Sequence, residues 1–268
     1  QNAVLAAGGA LALLGSAVGS VLGGRLPVLL GSTLGMPADG ALAYRLTLLL
    51  SLAVAGIAAL PLLPWYHDIH RPRSWRRSIA GLRDPAWRRL AARLALVVGT
   101  VGLGAGFVIP YLNLYFTRVL GVSVAAFGTL GAISQLVLGL ATLLAGVLAA
   151  RLGVVRLVVL TQLLAVLFLL LLATSPAPAV AMAAYTLRQA LMDMSSPVAQ
   201  GWLLGLAASE QRATTSSLLL VAEQGPWALS SIAGGALLER AGFLPGFLLT
   251  AFFYLLSVTL WRVLFRRI

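Results

Sequence analysis

In a chain of 268 residues, 60% are apolar and only 10% are charged, with a mean hydropathy of +0.98. Apolar runs of about 20 residues, enough to cross a bilayer, recur throughout, which excludes a soluble globular domain. The formal net charge of +12 comes from nineteen basic residues, all arginine; they stand mainly at the ends of those runs, a membrane pattern and not a nucleic-acid footprint.

Length and polar punctuation predict eight transmembrane spans, over residues 3–30, 42–63, 94–120, 124–148, 157–173, 177–206, 213–237 and 243–264. The expected fold class is all-α: a polytopic helical membrane protein. An open sheet would leave backbone groups unpaired in lipid, and no ten-residue alternating pattern suggests a barrel. Between the second and third spans lies the segment 65–93, WYHDIHRPRSWRRSIAGLRDPAWRRLAAR, with eight arginines. Its charge marks it as cytoplasmic by the positive-inside rule. Parity then places the turns at 151–156 and 210–212, and the tail carrying Arg262, Arg266 and Arg267, on the same side. Fourteen of the nineteen arginines fall there, whereas the connectors 36–40, 175–179 and 239–242 hold Arg240 alone. Both chain ends are thus expected to be cytoplasmic, in a multi-pass protein of the plasma membrane. Gln1 follows no methionine or charged leader, so the chain reads as a piece of a longer protein.

Within the Arg-rich segment, Asp84 before Pro85 reads as an N-cap with proline at the first helical position. A short helix carrying Trp87, Arg88 and Arg89 is expected there. Trp75 and Trp87 among arginines suit either the headgroup region or a solvated linker between two bundles. There is no cysteine, which excludes disulfides and thiolate metal sites, and His67 and His70 both lie in this loop. Neither a metal nor a cofactor is expected.

Polar and glycine-rich patterns inside the spans point to function. In span one, Gly15, Gly19, Gly23 and Gly24 leave a strip that a neighbouring helix can approach closely. Span three reads GLGAGFVIPYLNLYF, a bendable helix with Tyr111, Asn113 and Tyr115 beyond the bend; these suit a gate or cavity rim, or an interfacial tyrosine belt in the case of Tyr115. Gln135 in span four either lines a cavity or bridges helices.

Span six places charge in hydrocarbon. Counted at 1.5 Å per residue from Ala177, Arg188 lies roughly 16 Å deep, near the midplane of a core about 30 Å thick. A residue there costs at least about 2.5 kcal/mol to insert and must face the bundle interior or water. Tyr185, Gln189, Asp193, Ser196 and Gln200 follow the helical period as one polar stripe, with Arg188 at its edge and Pro197 expected to bend the helix beside it. In span seven Glu223 lies roughly 15 Å from Ala213, where it can pair with Arg188 as a structural ion pair or belong to a substrate or proton site. Gln224, Gly225 and Pro226 are expected to loosen the helix at that depth.

Several of these stretches resemble the major facilitator superfamily. AVGSVLGG in span one is similar to the glycine motif of helix five in its antiporters: Gly19, Gly23 and Gly24 match, while Ser20 replaces the proline and Ala6 an upstream glycine. GVLAARLGVVR resembles the family's cytoplasmic loop motif through Gly146, Leu148, Ala149, Arg151 and Gly153. Ala150 replaces its aspartate, so a charge-relay lock has no acid here, and Val154 and Val155 replace basic residues. With LRQALMDMSSPV and SEQRATTSSLLLVAEQGPWALSSIAGG, the six spans in 94–268 look like the superfamily's C-terminal bundle. Residues 1–64 would then be the last two helices of an incomplete N-terminal bundle and 65–93 the cytoplasmic inter-bundle loop, a partial major-facilitator fold.

The resemblance implies alternating access around a midplane site, hence a secondary active transporter of small organic molecules. Proton-coupled efflux is one form it can take, import of a sugar or nutrient another, and a truncated product without transport is the alternative of another class. Arg188, Gln189, Asp193 and Glu223 are expected to line the cavity, with Tyr111, Asn113 and Gln135 beside them. Glu223 and Asp193 are the proton-coupling candidates. Expected partners are a small-molecule substrate, protons and the lipid bilayer, for a monomer. With neither a membrane His nor a Cys to build a nucleophile–base pair, no enzymatic activity is expected.

Overall fold

A computed structural model describes residues 2–35, 37, 40–60 and 84–265, with side chains from Gly15 onward. The Arg-rich loop before Asp84 with Trp75, His67 and His70, most of the connector at 36–40, and Arg266 and Arg267 lie outside them. All regular structure among the described residues is helical: α1 Asn2–Leu34, α2 Ala41–Ala59, α3 Pro85–Gly106, α4 Val124–Leu152, α5 Val154–Thr174, α6 Pro178–Asp193, α7 Ser196–Gly205, α8 Arg212–Ala241 and α9 Phe243–Phe265. Among the described residues six helical stretches are long and apolar enough to cross a membrane. The α6–α7 pair and α8, which carry the polar residues of spans six and seven, fall outside that count.

Helix α3 starts where the sequence predicts a cap. The Asp84 carboxylate accepts from the Ala86 N–H at 2.9 Å, and Pro85 has no N–H to leave unpaired. The helix does not stop after one turn, however. Residues 85–93, expected as a short helix within the loop, are the first turns of a 22-residue helix, because Trp87, Ala91 and Leu94 present one apolar face to the bundle. Trp87 is accordingly buried, its indole N–H donating to the Thr215 hydroxyl of α8 at 3.2 Å, and does not lie among headgroups.

At its far end α3 gives way at Phe107 to a 3₁₀ turn, Ile109–Tyr111, and then to a π-helical turn, Tyr115–Val119. Pro110 cannot donate to a helix ladder, which accounts for the expected bend. Tyr115 is not part of an interfacial belt: it is buried, its hydroxyl donating to the Leu172 carbonyl at 3.0 Å and its ring set against Phe243 and Phe247.

Between α4 and α5 the chain reverses at Gly153, whose φ of +81° few side chains would tolerate. Arg151 before it is exposed, and nothing crowds Gly146 within 4 Å. Span six is divided into α6 and α7 at Met194 and Ser195. Pro197 supplies the reason, since it offers no donor to the Asp193 carbonyl. Pro226 has no such effect: α8 runs unbroken through it, contrary to the expected loosening.

Helix α8 packs on α3, α9 on α3 and α5, α6 on α5 and α4, and α1 on α4. Glycines set the closest approaches. A Cβ on Gly102 would meet the backbone of Glu223, 3.2 Å from its Cα, so α3 and α8 touch main chain to main chain. Likewise Gly24 of α1 meets Gly128 of α4, where Ser20 Oγ donates to the Gly128 carbonyl at 2.9 Å. Gly15, Gly19 and Gly23 have nothing within 4 Å, so Gly24 alone of the expected strip makes a close contact among the described residues. One core surrounds Phe116, Leu169 and Phe247, and a second surrounds Leu94, Leu203 and Trp261. The polar residues of α6 and α8 lie between them.

Candidate functional site

The bundle encloses a cavity of about 210 Å³. Helix α6 contributes Arg188 and Asp193, α7 Gln200, α8 Glu223, α5 Gln162, and α9 Tyr254 and Trp261. Val97, Val101 and Ile109 form an apolar wall opposite them. Ser196 and Gln200, on the first turns of α7, line the cavity and are exposed, so it opens to the surface at the α6–α7 break.

Arg188 is 5% exposed, yet its bonding is incomplete. One terminal nitrogen donates to the Tyr254 hydroxyl, whose ring centroid lies 5.5 Å from the guanidinium carbon. Its Nε has no partner among the described residues. The expected Arg188–Glu223 ion pair does not form: the guanidinium is held by the Tyr254 hydroxyl of α9 instead. Glu223 instead borders the cavity half-buried, its carboxyl within reach of whatever fills the space.

Of the sequence-predicted lining residues, the structure brings together Arg188, Asp193 and Glu223. Gln189, one position around the helix from Arg188, does not line the cavity, and its buried Oε1 has no partner. Tyr111 donates its hydroxyl to the Ser231 carbonyl at 2.6 Å and so ties the broken end of α3 to α8. Asn113 is exposed. Gln135 donates to Ser16 Oγ of α1 at 3.2 Å, a bridge between helices and not a cavity wall. Gln162, Tyr254 and Trp261 were not anticipated. Tyr254 carried a readable signal, a phenol in mid-span of α9, since a buried phenol needs a partner.

A guanidinium with an unfilled donor, two carboxyl groups and two amides around a space with one apolar wall can hold a small polar or amphiphilic molecule. The carboxyls can also exchange a proton or balance a cation. The family model described as Major Facilitator Superfamily matches residues 94–268, a stretch that contains every residue of the cavity. The chain belongs to the Major Facilitator Superfamily. As a member it is a multi-pass membrane protein and a membrane transporter. None of the curated proteins matches the chain.

Proposed function

We propose that this superfamily member is a secondary active transporter of small organic molecules, working by alternating access, with Arg188, Asp193 and Glu223 in the substrate site and Gln189 supporting it from the buried side of α6. The observation that carries this reading is a buried arginine and two carboxyl groups gathered from α6 and α8 on the wall of a cavity that reaches the surface. Ionisable groups at membrane depth are costly unless paired or facing a wet space, and these three share one cavity. Glu223 and Asp193 are the groups through which protons would drive transport.

The apolar wall of Val97, Val101 and Ile109 favours amphiphilic substrates and hence the efflux form. Gln162 and Gln200 with the Trp261 ring are what the sugar or nutrient importer would use instead. At about 210 Å³ the cavity is smaller than a drug-sized site of about 300 Å³ or more, so it accommodates one part of a larger substrate. A resistance and uptake screen of the full-length protein against a compound library tests the proposal. Flux that depends on a proton gradient and is lost in Arg188→Ala supports it; flux unaltered by that substitution removes Arg188 from the site.

A further inference from the structure

A second concave site lies at the arginine-bearing end of the bundle and shares no lining residue with the cavity. Here a cleft of about 1390 Å³ is walled by the start of α3, the α4–α5 turn, α7 and the end of α9. Arg93 of α3, Arg156 of α5 and Arg262 of α9 all line it. All three are exposed, and none has a hydrogen-bond or ion-pair partner among the described residues. Among the described residues no carboxylate lines the cleft: Asp84, close by in sequence, serves as the α3 cap.

Three like charges drawn from three helices repel one another unless an anion lies between them. The walls identify what kind of anion. Leu160 and Val263, which border the cleft, are 47% and 72% exposed on the outer surface of helices that cross the membrane. The cleft is therefore continuous with the hydrocarbon side of the bundle. Trp202, also in its lining, is the residue type that settles at the headgroup level. A strongly positive recess whose open flank is aliphatic matches a molecule with a negative head and an apolar tail. Basic recesses between transmembrane helices are suited to anionic lipid headgroups. Its volume exceeds the range of about 300 to 1,000 Å³ of ordinary small-molecule sites and leaves room for a headgroup with the first part of its acyl chains.

We infer that Arg93, Arg156 and Arg262 form a binding site for the headgroup of an anionic phospholipid, whose acyl chains run down the bundle along Leu160 and Val263. The site is separate from the transport cavity and does not depend on its assignment.

The test compares the purified full chain in mild detergent with phosphatidylglycerol, with phosphatidylcholine of the same acyl chains, and with inorganic phosphate, reading bound lipid by native mass spectrometry and melting temperature by differential scanning fluorimetry. Phosphatidylglycerol should remain bound and raise the melting temperature, phosphatidylcholine and phosphate should not, and each Arg→Gln change should weaken lipid binding roughly fivefold. R118Q should bind as the parent does. The three arginines are exposed and unpaired, so the lipid-free melting temperature of R93Q/R156Q/R262Q should match the parent; if the triple variant does not fold, R156Q alone carries the comparison. Undiminished phosphatidylglycerol binding in these variants, or equal binding of phosphatidylcholine, overturns the inference. An equal melting shift with phosphate alone overturns the lipid assignment in favour of a free anion.

Discussion

Two sets of buried polar groups share helices α6 and α9 and end differently. Thr186 exchanges a hydrogen bond with Ser134 of α4 at 2.9 Å, and Thr250 reaches the carbonyls of Gly104 and Gly246 at 2.8 and 2.9 Å. These neutral groups are buried and complete. Two residues beyond Thr186, and four beyond Thr250, stand Arg188 and Tyr254, joined to each other on the wall of a cavity. Burial and polarity are common to both sets. What separates them is an ionisable group on the wall of a cavity, and that is the better guide to where a ligand acts, since the unmet Oε1 atoms of Gln135 and Gln189 lie off the cavity.

The sharpest break of this comparison comes from Arg188→Ala in the full-length protein. The loss of a buried, charge-assisted contact to substrate should lower flux into proteoliposomes at least about tenfold, while membrane insertion, read by yield and monodispersity, stays normal. Tyr254→Phe removes the hydroxyl holding the guanidinium and should reduce flux by about tenfold, the low end of what one hydrogen bond to a charged group is worth; the same assay measures it. Gln at position 223 is neutral at every pH, as the protonated acid is only on the acid side of its titration. Glu223→Gln should therefore flatten the acid-to-alkaline slope of flux, and a preserved slope would move proton coupling elsewhere. Gly102→Ala drives a methyl into the Glu223 backbone and should lower stability by about 1 to 3 kcal/mol, seen as a lower melting temperature. At the small end, Thr186→Val should cost about 1 kcal/mol and leave flux unaltered; a flux defect there would dissolve the distinction between the two sets.

Much of the architecture was legible because lipid narrows the options to helices, and runs of apolar residues set their number and approximate bounds. The caps and turns followed from local chemistry: Asp84 with Pro85, Gly153, and the break before Pro197. Less legible was how far each signal reached. The Asp84 cap opens a full span, since the apolar face of Trp87 and Ala91 continues into Leu94 and cannot be left in a loop. Pro197 divides its helix and Pro226 does not, a contrast that neighbouring helices decide and the local sequence does not express. Of the site, the charged members could be found because charge in hydrocarbon is rare. Their pairing could not: the phenol of Tyr254 announces a need for a partner but not which one, and whether Arg188 meets Glu223 or Tyr254 depends on how the helices are turned toward one another.

Where α3 and α8 touch through Gly102, no compressible side chain separates the two backbones. A shift of one is handed on to the other with little slack, so the pair behaves as a single beam that carries Glu223 with it. Any reshaping of the space in front of that beam has to be supplied from across the cavity, where α6 and α7 are already two pieces.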